Sequence, residues 1–135
     1  MSIKEMIQEH PDVGADYNEA LGEAVRHALY GAAITNACAD ACLAQVDEDR
    51  SECIRRCLDA SDACTAFYRM ASRRTGGNVA AIEAIGAATI IACEACHEIC
   101  SMHEDDHCKR CTRMCEEVIA DIRKALQVMT GSSKN

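Results

Sequence analysis

Residues 93–115 read CEACHEICSMHEDDHCKRCTRMC, with six cysteines at steps of three and four on either side of a polar turn. Such steps return side chains to one face of an α-helix. Two helices are therefore expected, over about residues 79–102 and 106–129, each with a seam that turns to cysteine where the two helices meet. The earlier seam reads Ile82, Gly86, Thr89, Cys93, Cys96, Cys100, and one further step lands on His103. The later one reads Cys108, Cys111, Cys115, Val118, Ile122, Ala125, Met129.

The first half of the chain repeats the pattern. A segment over about residues 16–45 carries Leu21, Ala24, Ala28, Gly31, Thr35, Cys38 and Cys42. Another, over about 50–74, carries Cys53, Cys57, Ala60, Cys64, Phe67 and Ala71 before the turn Thr75-Gly76-Gly77-Asn78. A short helical leader is expected over about 2–9, ending before His10-Pro11, and a frayed tail over 130–135. One proline, much alanine and only four aromatic residues favour helix over a sandwich of strands. Short connections make successive segments antiparallel. The expectation is an all-α, up-down-up-down four-helix bundle with that leader, forming a single domain over 1–135.

In such a bundle the end of the first segment, the start of the second, the end of the third and the start of the fourth share one pole. All eleven cysteines lie there: Cys38, Cys42, Cys53, Cys57, Cys64, Cys93, Cys96, Cys100, Cys108, Cys111 and Cys115. The other half has an ordinary apolar core of Leu21, Val25, Leu29, Phe67, Met70, Ile82, Ile85, Val118, Ile122 and Leu126. Cysteine is a small hydrophobe that cores use, which accounts for two or three such positions. It does not account for eleven.

The N-terminal stretch MSIKEMIQEHPDVG has no apolar core or cleavage signal of a secretory leader, so a cytoplasmic location with reduced thiols is expected. An odd count also forbids complete internal pairing. Metal thiolates are the first reading; redox-active thiols and structural disulfides are the others. Soft thiolates select Cu(I), zinc or iron–sulfur clusters. Zinc prefers four tetrahedral ligands, and clusters usually take theirs from a wrapping loop. Cu(I) accepts two or three sulfurs, so a column of paired thiols suits a series of ions, on the order of five to eight when filled. The expected function is storage or buffering of several Cu(I), protecting the cytosol from free copper. The alternatives are an iron–sulfur or zinc protein, or a thiol redox sensor.

Asp47, Glu48, Asp49, Glu52, Glu104, Asp105 and Asp106 would form an acidic rim at this pole, either gathering cations or capping helices. His103 and His107 are candidate ligands where ions arrive, or plain loop histidines. Met102 and Met114 offer thioethers but are read as helix-surface or core residues. His10, His27 and His97 lie off the seams and are read as ordinary histidines, and Asp62 is the weakest candidate. A net charge of −8 argues against nucleic acid. No apolar run approaches the roughly 20 residues that cross a bilayer, so no membrane association is expected. No Ser/His/Asp or Cys/His pairing stands out and no glycine-rich phosphate loop is present, so the chain is read as a non-enzyme.

The stretches ECIRRCLDASDAC and ACEACHEICSMHEDDHCKRCTRMC, together with NACADACLAQ, resemble the cysteine-rich four-helix-bundle copper storage proteins of bacteria over roughly residues 30–120. The resemblance implies a cytosolic protein that binds many Cu(I) ions and assembles as a homotetramer; a copper carrier is the expected source of the ions. Members of that family often continue cysteine along the whole tube. Here Gly31, Thr35, Ala60, Gly86, Thr89, Val118 and Ile122 take those places, which implies a lower capacity.

Overall fold

A computed structural model describes residues 2–13 and 16–133, the last four of these by backbone alone. Five helices follow one another: α1 (Ile3–Gln8), α2 (Glu19–Leu43), α3 (Ser51–Ala71), α4 (Val79–Cys100) and α5 (Asp106–Ser133). Helix α2 packs against α3 and α5, α4 packs against the same two, and α1 lies along α2. The four long helices thus close a ring in chain order. Cys42 beside Cys53, Cys64 beside Cys93 and His97 beside Glu116 fix neighbouring helices as antiparallel. The result is a four-helix bundle with a short helical leader.

Helix ends follow local chemistry. Asn18 Oδ1 accepts the Leu21 N–H at 3.0 Å, so α2 starts at Glu19. Ser2 caps α1 in the same way, and Asp49 accepts the Ser51 N–H at 3.0 Å as α3 begins. Between α3 and α4, Asn78 accepts the Thr75 N–H at 2.8 Å and donates to the Arg73 carbonyl at 3.2 Å, tying the glycine turn.

All four seams face inward, and each of their residues from Leu21 to Met129 is buried. Phe67, Leu21, Ile82, Ile122, Met129, Val25 and Val118 fill the half near the α3–α4 turn, while Leu29, Met70, Ile85 and Leu126 are half-buried around them. Each such large side chain contributes about 1.5–3 kcal/mol when fully buried. The apolar half therefore carries most of the hydrophobic stabilisation. Where it meets the sulfurs, α2 comes close to its neighbours at Gly31. A Cβ there would lie 2.8 Å from Val118 Cγ2 and 3.2 Å from Cys64 Sγ.

Two expectations are corrected. Helix α4 is long and apolar enough to cross a membrane by length and composition. Glu83 and Glu94 interrupt the consecutive apolar run, but the average over the helix stays high because alanine and isoleucine also occupy its outer face. The expected frayed tail is also helical as far as Ser133; Lys134 and Asn135 lie outside the described residues. Gly131 weakens a helix by about 1 kcal/mol, but no proline follows to stop it.

Candidate metal centre

Helix α2 presents Cys38 and Cys42, α3 presents Cys53, Cys57 and Cys64, α4 presents Cys93, Cys96 and Cys100, and α5 presents Cys108, Cys111 and Cys115. All eleven thiols are buried and free. They form a continuous column. At its outer end Cys42 Sγ lies 3.8 Å from Cys53 Sγ, which lies 3.6 Å from Cys100 Sγ. Further in, Cys57 is 3.6 Å from Cys100 and 3.5 Å from Cys96, and Cys96 is 3.7 Å from Cys111. At the inner end Cys64 and Cys93 are 3.7 Å apart.

The sulfurs group into donor sets. Cys38, Cys57, Cys100 and Cys111, one from each long helix, have sulfurs within 4.8 Å of one another. Cys96, Cys111 and Cys115 form a second set. At the mouth, Cys38, Cys42 and Cys108 join His107, and Cys53 and Cys108 join His103. Such sets offer a soft ion two, three or four sulfurs, with an imidazole only at the outer end.

The thiols do not share one acidity. Burial pushes Cys42 and Cys108 up. Hydrogen bonding to Cys100 raises Cys53, Cys57, Cys96 and Cys111; Cys93 raises Cys64, and Cys111 with Cys93 raises Cys115. Three sulfurs go the other way. Contacts from Cys111, Cys38, Cys53 and Cys57 hold Cys100 far below the usual thiol range. Cys115 and Cys64 bring Cys93 to about 4. Cys38, against an opposing contact with Cys100, is lowered to about 6 by Cys111, Cys57 and His107. Outer, middle and inner parts of the column thus each hold one sulfur whose neighbours favour the thiolate, the form that binds metal.

The mouth has a supporting shell absent from the sequence reading. Gln45 Nε2 donates to Asp105 Oδ1 at 2.7 Å, which turns its carbonyl oxygen toward His107 Nε2 at 2.8 Å. An amide oxygen only accepts, so Nε2 carries the proton, and in the neutral ring the lone pair lies on Nδ1. Nδ1 is 3.3 Å from Cys38 Sγ and 3.6 Å from Cys108 Sγ. His103 Nδ1 stands 3.9 Å from Cys108 Sγ. Buried Arg50 also reaches the mouth, with Nη1 3.7 Å from Cys108 Sγ. The signal for both residues was available: Gln45 continues the Cys38–Cys42 seam by three, and Arg50 precedes Cys53 by three.

The other named residues fall elsewhere. Met102 is exposed and Met114 is buried, one on the surface and one in the core. His10 accepts the Asp12 N–H, His27 pairs with Asp121, and His97 pairs with Glu116. Asp62 is exposed. Of the acidic rim, Glu48 and Asp105 are bound to Arg50, while Asp47, Asp49, Glu52, Glu104 and Asp106 face solvent. Glu23, His27 and Asp121 also converge in the apolar half, but Lys4 at 2.6 Å and Arg26 at 2.9 Å already balance Glu23.

The sequence model of one family, Csp: Copper storage protein, matches residues 17–127. No curated protein matches the chain. Among solved structures, the copper storage protein Ccsp of Streptomyces lividans loaded with 10 copper equivalents is 30% identical, with a TM-score of 0.87 over 93% of this chain and 98% of its own. The same cytosolic protein with five coppers is 32% identical, with a TM-score of 0.77 over 81% of this chain and 93% of that one. A variant of it with one histidine replaced by alanine is also 32% identical, with a TM-score of 0.78 over 82% and 95% of the two chains.

Proposed function

Since this chain belongs to the copper storage protein family, we propose that it takes up several Cu(I) ions and stores them as thiolates in the sulfur-lined half of its bundle, keeping free copper out of the cytosol. The observation that carries this reading is the unbroken column of eleven buried, free thiols. The ligands are Cys38, Cys42, Cys53, Cys57, Cys64, Cys93, Cys96, Cys100, Cys108, Cys111 and Cys115, with His103 and His107 serving where ions arrive. The exposed acids of the rim raise the local cation concentration. Ions handed over by a carrier exchange first onto Cys42, Cys53, Cys100 and Cys108 beside the two histidines, then migrate inward. Each thiol that becomes a ligand releases its proton, so affinity rises with pH.

Storage requires no turnover, and catalysis has no part in this reading. Free thiols suit a cytoplasmic setting. The chain works away from membranes and nucleic acid. Its partners are the copper carrier and three further copies of itself, and the exposed alanine face of α4, with Ile91 69% exposed, supports self-association. Light scattering should return four chain masses; a monomer would remove the tetramer.

Anaerobic titration of the reduced protein with Cu(I) against a competing chelator tests storage directly. Several tightly held ions per chain are expected, and one or none would reject it. The Cys38, Cys42, Cys108 and His107 set is also a donor set that zinc accepts. A single bound zinc with no copper uptake would put a structural zinc protein in place of storage.

A further inference from the structure

Arg50 stands between the acidic rim and the sulfurs. Its side chain is only 6% exposed, and Nη2 lies 2.6 Å from Glu48 Oε1. Nη1 lies 2.6 Å from Asp105 Oδ2 and 3.7 Å from Cys108 Sγ. Nε is buried with no hydrogen-bond partner. Glu48 also approaches His103 Nε2 at 3.9 Å, so this carboxylate links the cation to the histidine side of the mouth. Other cations at this pole lie on the outside: Arg56 is bound to Glu52 and the Ala95 carbonyl, and Lys109 to Glu104.

Loading changes the charge of this corner. Two thiols and one Cu(I) give a bis-thiolate complex with a single negative charge and release two protons. That anion forms among buried sulfurs, where an unmatched charge is costly, and two carboxylates stand close behind Arg50. A guanidinium whose Nη1 reaches Cys108 Sγ, and whose Nε keeps an unused donor, is suited to match it.

We propose that Arg50 is the built-in counter-cation of the copper-loaded mouth: it hydrogen-bonds the thiolate of Cys108 beside Cys42 and Cys38, and screens that complex from Glu48 and Asp105. Arg50 is a positioning residue, acting on ligands rather than on the ion. The inference rests on the reading that these sulfurs carry Cu(I). A purely structural Arg50 would only staple the start of α3 to the α4–α5 connection.

The test uses full-length wild type, R50K, R50Q and R50Q/E48Q; Glu48 is chosen over Asp105 because Asp105 also orients Gln45 and through it His107. Each is titrated anaerobically with Cu(I) against a chelator, with native mass spectra counting ions and thermal melts of the apo forms checking the fold. In R50Q at least one binding step moves to about tenfold higher free Cu(I) while the others stay where wild type has them. R50K restores most of that loss. Adding E48Q to R50Q restores part of it, because a carboxylate no longer faces the anionic complex; a structural staple predicts no such gain. Wild-type binding in R50Q, or weaker binding in R50Q/E48Q than in R50Q, overturns the inference. If R50Q fails to fold, E48Q alone carries the test. With Arg50 freed from one carboxylate, a binding step moves to lower free Cu(I), and an unchanged or higher value overturns the inference. A wild type that holds one ion or none would instead sink the storage reading itself, and this inference with it.

Discussion

An imidazole ligates a metal only when its lone pair faces the ion, and the hydrogen bond on its other nitrogen decides which way it faces. For His107 that partner is Gln45, whose own orientation is set by the Asp105 carboxylate, which can only accept. Replacing Gln45 with leucine keeps the bulk and removes the acceptor. Loss of such a supporting partner typically weakens metal binding about 10–100-fold. The Q45L protein should therefore bind its mouth ion more weakly by that factor in a competition titration, with the inner ions unchanged. Identical isotherms would show that His107 needs no such support.

Each long helix changes character along a single seam, from cysteine at one end to aliphatic or aromatic residues at the other. The boundary is crowded. Thr35 Oγ1 donates to the Gly31 carbonyl at 2.7 Å, and Thr89 Oγ1 donates to Ile85 and Ala63 carbonyls at 2.7 and 3.1 Å, so the hydroxyls there are occupied by backbone. Gly31 lets α2 approach Val118 of α5 and Cys64 of α3. An added methyl must push both away, and overpacking of this kind costs about 1–3 kcal/mol. Denaturant unfolding of apo G31A should show a loss of that size; an unchanged midpoint would mean that the boundary yields freely.

For the whole molecule, eleven thiols in one interior make stability depend on pH. Cys42, Cys53, Cys57, Cys64, Cys96, Cys108, Cys111 and Cys115 are all held above the ordinary value of 9.0. Above that value the unfolded chain ionises while the folded chain keeps its protons. The stability these groups contribute is therefore complete below pH 9 and declines as pH rises toward their folded values. Cys38, Cys93 and Cys100 act in the opposite sense. Their contribution is complete above the ordinary value and is lost as pH falls through their folded values, about 6 for Cys38 and about 4 for Cys93. The melting temperature of the apo protein should fall as pH is raised from 9 to 11, since in that range only the raised thiols change their contribution. The copper-loaded protein should not show this fall, because its ligands are already thiolates. Parallel curves for the two forms would contradict it.

Four seams with a 3.6-residue period, and short connections that force neighbours antiparallel, were enough to establish the bundle and the gathering of the cysteines at one pole. Both are local properties of spacing: Cys53, Cys57 and Cys64 share a face whatever stands opposite. The outer face of α4 was less legible, because two glutamates broke the run without lowering its average hydropathy by much. Tertiary structure alone decided which sulfurs meet, as in the set of Cys38, Cys57, Cys100 and Cys111 drawn from four helices. It also brought Gln45, Arg50 and Asp105 together from two connections around one mouth. Those pairings depend on how far one helix slides and turns against the next. That offset is set by the fit of side chains such as Val118 against Gly31, which no spacing along a single chain segment encodes.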